Sequence, residues 1–180
     1  MALTNLSTAL RVGGLGDGSD ILEEAVALCR DLGDKRGEGV ALTNLGTSRL
    51  QAGAPAEAAL MLMRASDLLK EVGATHMQAK ALMNLGKVWG VLGLTDRANE
   101  AVREAITLYR TARDRHGAGR ALFLLSSALW TTDPEEAISL GTAAVTALGE
   151  TDDEALTEQA TALVATMRES VDGGGLPGGT

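Results

Sequence analysis

The chain has 180 residues, and although 45% of them are hydrophobic only 2% are aromatic, so any core must be built from Ala, Leu, Val and Met. That composition favours closely packed helices over a β-sandwich or a β-barrel, which depend on aromatic and β-branched side chains. The net charge of −8 argues against binding to nucleic acid, and no stretch approaches the roughly 20 apolar residues that cross a bilayer, so neither a nucleic acid nor a membrane is expected as a partner.

One short motif recurs along the chain with a period of about 40 residues. It reads Ala-Leu-x-Asn-Leu followed by a small residue in its first three copies, and Leu124 replaces the Asn in the fourth. The copies begin at Ala2, Ala41, Ala81 and Ala121, and Ala25, Ala65, Ala105 and Ala144 follow the same period. We therefore predict repeats over about 1–35, 36–75, 76–115 and 116–150, a capping helix over 152–171 and a disordered Gly-rich tail over 172–180.

Each repeat is expected to form two helices, because its apolar residues are spaced by three, four or seven positions. Pro55 and Pro134 suit the first turn of the second helix, and Asp133 is placed to cap such a helix. Gly46 lies inside a predicted first helix, where Gly costs about 1 kcal/mol relative to Ala. We expect Gly46 to permit the close approach of the Ala-lined face of the partner helix.

The pattern Leu-x-x-Leu-Gly, then a Gly turn, then Ala-x6-Ala resembles the tetratricopeptide repeat over residues 1 to about 150. The period of about 40 residues is longer than the usual 34 or so, and Trp89 is the one aromatic residue in a matching place. This longer form is similar to repeats in bacterial regulators that join a nucleotide-switch ATPase to a helical sensor, and to those of the eukaryotic adaptor that links polarity proteins to the spindle. The resemblance implies an all-α, right-handed superhelical solenoid of antiparallel helix pairs, with about four repeats and a C-terminal capping helix.

The same resemblance implies a non-enzymatic scaffold that binds a peptide or a helix of another protein in a concave groove. The alternative is a sensor or regulatory segment of a larger bacterial transcriptional or signalling ATPase regulator. Met1 falls inside the first Leu-x-x-Leu helix, so the chain is either an excerpt from a longer regulator or begins with a short helix. Cys29 is the single cysteine, which makes a reducing cytoplasm the simplest compartment.

A row of asparagines is the main candidate for ligand contact. Asn5, Asn44 and Asn84 each precede the second Leu of the motif. In related repeats an Asn in this setting grips the main chain of an extended peptide, and a carboxamide can donate to a carbonyl and accept from an amide at once. The alternative is that these side chains bond to neighbouring helices, and the sequence leaves both interpretations open.

The other candidates for the groove are cationic or apolar. Lys80, Lys87 and Arg120 fall on first helices, where they could receive a carboxylate of the ligand or simply solubilise an exposed face. The residues that could supply an apolar floor are Thr43, Met83, Phe123 and Trp130.

The sequence contains no pattern that predicts catalysis, a metal or a cofactor. No nucleophile, base and orienting group are expected to converge. His76 and His116 are one period apart, which repeat register explains better than metal ligation.

Overall fold

The computed structural model describes residues 19–173, which form eight α-helices and no strand. The helices are α1 (Ser19–Asp31), α2 (Lys35–Gln51), α3 (Pro55–Glu71), α4 (Thr75–Val91), α5 (Thr95–Thr111), α6 (Arg115–Leu129), α7 (Pro134–Gly149) and α8 (Glu154–Asp172). The chain divides into two compact units, Met1–Ala101 and Val102–Thr180. The first predicted Leu-x-x-Leu helix and the tail beyond 173 lie outside the described residues.

Short polar and conformational signals fix where the helices begin. The carboxylate of Asp133 accepts the backbone N–H of Glu136 at 2.9 Å, and Pro134 occupies the first turn of α7, as predicted. Other helices use the same aspartate cap: Asp34, Asp114 and Asp153 accept the N–H groups of Gly37, Gly117 and Leu156. Four helices, α2, α6, α7 and α8, therefore start at an aspartate cap, and α3 starts at Pro55.

In the first unit α1 packs on α2, α2 on α3, and α3 on α4. The side chains of Leu62, Leu68 and Leu69 on α3 are almost fully buried in its core. A Cβ added at Gly46 would lie 2.8 Å from Leu62 Cγ and 3.2 Å from the carbonyl oxygen of Ala58. Gly46 therefore permits the close approach of α3, as predicted, although what it meets is Leu62 and the backbone of Ala58 rather than an Ala side chain.

In the second unit α6 packs on α7 and α7 on α8. Here the small residue at the α6–α7 contact is Gly141, where a Cβ would lie 2.6 Å from Val164 Cγ2 and 2.8 Å from Ser126 Oγ. The hydroxyl of Ser126 is fully buried and donates to the carbonyl of Ala137 at 2.7 Å. Met167 of α8 is buried beside it, so the final helix covers the apolar face of α7. None of the helices within 19–173 is long and apolar enough to span a membrane.

Candidate functional site

The first helices of two successive hairpins, α2 and α4, contact each other and share one partly exposed stripe. In the central segments of these helices, 38–48 and 78–88, most side chains are buried, and the exceptions recur at spacings of three and four residues, which place them on one face. We call this surface the α2–α4 stripe; it consists of Val40, Asn44 and Thr47 on α2 and of Lys80, Asn84 and Lys87 on α4.

Asn84 lies at the centre of the stripe and is held from the neighbouring helix. Its Nδ2 donates to Thr47 Oγ1 at 3.0 Å, and Thr47 Oγ1 in turn donates to the carbonyl oxygen of Thr43 at 2.8 Å. Because the single hydroxyl proton of Thr47 is used on its own helix, this oxygen can only accept from Asn84, which fixes the orientation of the carboxamide. Within 19–173 the Oδ1 of Asn84 accepts no hydrogen bond, so it is available to a ligand N–H.

The other members of the predicted asparagine row are placed differently. Asn44 is half-buried at the equivalent position of α2, and Asn5 lies outside the described residues. The structure therefore pairs Asn84 with Thr47, and both proposed roles of Asn84, contact with a helix and contact with a ligand, are compatible with its geometry. Sequence reasoning missed Thr47; the signal was a hydroxyl one helical turn after Asn44, on the same face.

The three predicted cations do not form one group in either unit. Lys80 is exposed and Lys87 half-buried, each about one turn from Asn84 on α4. Arg120 is exposed on α6 in the second unit, where its positive charge partly opposes the effect of burial on the pKa of Tyr109. The α2–α4 stripe therefore carries Lys80 and Lys87 but not Arg120.

The predicted apolar floor is not a surface of α2 and α4. Thr43 and Met83 are each 3% exposed, because their position in the motif turns them into the core. Thr43 Oγ1 donates to the carbonyl oxygen of Gly39 at 2.8 Å within its own helix. Phe123 is half-buried on α6, in the other unit. Neither Thr43 nor Met83 has enough exposed surface to contact a ligand, and we leave both out of the site.

The histidine of the second unit makes a structural contact. His116 Nε2 lies 2.9 Å from Asp153 Oδ2, and this hydrogen bond, together with the N–H of Leu156, lowers the pKa of Asp153. Asp153 is also the cap of α8, so the contact joins the start of α6 to the start of the final helix. In the described part of the chain no three His, Cys, Asp or Glu side chains are grouped as metal ligands.

These antiparallel hairpins, with glycine at the α2–α3 and α6–α7 contacts, form an all-α helical repeat with a tetratricopeptide-like fold. Comparison with solved structures supports the same fold. The chain superposes on BtubC (BKLC) from P. vanneervenii with a TM-score of 0.70 and 15% identity, covering 95% of this chain and 79% of the other.

Two further structures, from Podosopora anserina, are described as kinesin light chain with nearly identical TPR-like repeats. Their TM-scores are 0.56 and 0.55 at 11% identity, and each comparison covers at least 94% of this chain and 95% of the other. No protein-family model matches the chain, and a search of curated proteins finds no match either. At these identities the likeness establishes the fold.

Proposed function

We propose that this protein is a non-catalytic interaction module that binds an extended peptide of a partner protein along the α2–α4 stripe. The observation that supports this most directly is the carboxamide of Asn84, which is oriented by Thr47 and keeps its Oδ1 available. A carboxamide in this state can accept the N–H of a peptide, while its second N–H donates to a peptide carbonyl. Since the side chain is already ordered, binding loses less conformational entropy than it would with a mobile amide.

The spacing of the stripe also suits an extended ligand. Packed helices lie roughly 8–10 Å apart, and an extended chain advances about 3.3 Å per residue. Asn44 and Asn84 on neighbouring helices would therefore address about every third ligand residue. Lys80 and Lys87 flank Asn84 on the same face, so a ligand with acidic side chains beside its contact to Asn84 fits the local charge.

Two further parts of the proposal are that the protein is not an enzyme and that it works in a reducing compartment. Burial raises the pKa of the Cys29 thiol, with the neighbouring charge of Asp34 adding to the effect, and a raised pKa makes a thiol less reactive as a nucleophile. An unpaired thiol of this kind is typical of a reducing compartment such as the cytoplasm.

The test begins with peptides selected from a random display library on the full chain, whose affinities are then measured by calorimetry. We expect the double variant Asn44→Ala/Asn84→Ala to bind a selected peptide about tenfold more weakly, because main-chain hydrogen bonds to the ligand are lost. Thr47→Val should weaken binding less, because it removes only the group that orients Asn84. The helical circular dichroism of each variant should match that of the parent.

Asn99→Ala is the matched control, since Asn99 is a half-buried asparagine on α5, outside the stripe. It should leave the affinity unchanged. If the double variant binds every selected peptide as tightly as the parent does, the ligand does not lie on the α2–α4 stripe and the proposal fails.

A further inference from the structure

The second unit contains an open cleft of about 1020 Å³ between the end of α5, the start of α6 and the end of α7. Its base is apolar, formed by Ala118 and Leu122 of α6 and by Ala143 and Ala147 of α7. None of the cleft residues belongs to the α2–α4 stripe, so the cleft is a separate candidate site.

The rim of the cleft is basic although the chain as a whole carries a net charge of −8. Arg110, Arg113 and Arg115 line it and outnumber its two carboxylates, Asp114 and Glu150. Arg115 forms an ion pair with Glu150 at 2.6 Å. Arg110 and Arg113 are exposed and form no ion pair with any residue in 19–173, so two guanidinium groups border an apolar base.

The equivalent place in the first unit is filled and neutralised by the chain itself. Arg30 lies two repeats before Arg110 in the equivalent position. It donates through Nη2 to Glu38 Oε1 at 3.0 Å, and Glu38 is buried. The residue equivalent to Glu38 in the second unit is Ala118, so Arg110 has no such partner. Likewise Leu68, which is 1% exposed in the first unit, is replaced by Ala147. A ligand that fills the cleft should therefore supply a carboxylate and an apolar side chain, as Glu38 and Leu68 do in the first unit.

The backbone at Arg113 gives an independent reason to regard this side chain as functional. The turns before α2 and α4 are closed by Gly33 and Gly73 in the left-handed region, at φ of 67° and 66°. The equivalent turn before α6 carries Arg113 at φ 55°, a conformation that is disfavoured for residues with a Cβ. Strained positions of this kind are retained where the surroundings make use of the side chain, and here Arg113 borders the cleft.

We propose that this cleft binds an acidic segment of a partner protein, with a carboxylate on Arg110 and Arg113 and an adjacent apolar side chain on Ala118 and Ala147. Arginine suits the task because its planar guanidinium can pair with a carboxylate through two hydrogen bonds. The acidic segment would take the place that Glu38 and Leu68 occupy in the first unit.

The probe is a short acetylated and amidated peptide of alternating leucine and glutamate, titrated into the full, isotope-labelled chain and followed by NMR. The control peptide carries glutamine in place of each glutamate. We expect the glutamate peptide to shift the amide signals of residues 113–118 and to bind at least about tenfold more tightly than the glutamine peptide.

Two substitutions test the cleft without removing a core group. Arg113→Gly installs the residue of the equivalent turns, so it should raise the thermal midpoint while weakening the glutamate peptide about tenfold. Ala118→Glu installs the first unit's own partner for the arginine and should block the peptide by occupying Arg110. Arg36→Gln, at an exposed arginine of α2, removes one positive charge outside the cleft, as Arg113→Gly does inside it, and should leave binding unchanged.

The Asn44→Ala/Asn84→Ala variant should bind the glutamate peptide as the parent does, which separates this inference from the proposed function. The inference is overturned if the two peptides bind alike, if no signal of 113–118 moves, or if Arg113→Gly and Ala118→Glu both retain the parent affinity. Loss of binding in the asparagine variant alone would assign the peptide to the α2–α4 stripe and would equally overturn it.

Discussion

The α2–α3 hairpin of the first unit and the α6–α7 hairpin of the second have the same architecture but distribute large and small side chains differently. At the central helix contact, Gly46 faces Leu62 in the first hairpin, whereas Ser126 faces Gly141 in the second. The first hairpin therefore has its small residue on its first helix and its larger residue on its second helix, and the second hairpin has the reverse arrangement. The buried hydroxyl of Ser126 donates a hydrogen bond to the carbonyl of Ala137.

At the edge of the two hairpins, in contrast, the side-chain volume is not the same. Glu38 and Leu68 of the first hairpin correspond to Ala118 and Ala147 of the second, and no larger neighbour compensates for either loss. Volume is therefore kept where a void would be fully buried, because an internal cavity is destabilising. At the rim, where water or a ligand can enter, volume is not kept and a cleft results. The first hairpin therefore fills this place with its own side chains, whereas the second leaves the cleft that we propose a partner occupies.

The largest expected effect comes from the central contact. Leu62 is fully buried, so Leu62→Ala should lower the free energy of unfolding by about 3 kcal/mol or more, measured by urea unfolding. Gly46→Ser alone should also destabilise the chain, by about 1–3 kcal/mol, because its Cβ would lie too close to Leu62 Cγ. The double variant approaches the Ser126 and Gly141 pair of the second hairpin, with Ala in place of Gly, and we expect it to be less destabilised than the sum of the single variants by about 1 kcal/mol.

Leu60→Ala is the control, because Leu60 is on the same helix but 71% exposed. It should change the stability by less than about 0.5 kcal/mol. Strict additivity of Gly46→Ser and Leu62→Ala would mean that the two positions are not exchanging volume, and the comparison between hairpins would lose its basis.

The features that could be predicted from the sequence are those that each repeat specifies locally. The period, the Pro134 and Asp133 helix start and the role of Gly46 all follow from residue type and spacing, and the structure confirms them. Features that depend on packing between helices could not be predicted. The compensation of Ser126 by Gly141 requires knowing which residues face each other, and the burial of Met83 requires knowing which side of α4 meets the core.

The candidate sites could likewise be predicted from the sequence only in part. Asn84 was recognisable from its place in the motif, but its partner Thr47 comes from the neighbouring repeat and was not. Arg113 carried a signal that was overlooked, since it stands where the two preceding turns have Gly. A departure from the repeat at a position that needs a left-handed backbone was therefore the clearest pointer to the cleft.

A second prediction concerns the position that carries Cys29 in the first unit and Tyr109 in the second. Tyr109 is 3% exposed, and burial, assisted by Asp114, raises its pKa to about 12. Its neutral form is favoured in the folded state, so the stability it contributes is complete below the ordinary pKa of about 10 and is lost as the pH rises from there to about 12. Tyr109 is the single tyrosine, so the tyrosinate absorbance reports it alone, and we expect a midpoint near 12 while the helical signal persists. A midpoint near 10 in the folded chain would show that Tyr109 is not shielded as its place against Gly117 requires.

The smallest expected effect is at Glu38, the residue that the second unit lacks. Glu38→Gln keeps the size of the side chain and removes its charge, and Gln78 already occupies the equivalent buried place at the start of α4. Because the Arg30 side chain is 62% exposed, water screens the lost pair, and we expect a loss of only about 1 kcal/mol in urea unfolding. Glu71→Gln, which removes an exposed carboxylate paired with Lys35, should leave the stability unchanged. Equal effects of the two substitutions would mean that burial of Glu38 adds nothing to its pair with Arg30. The absence of this carboxylate at Ala118 would then give no reason to expect a ligand carboxylate on Arg110.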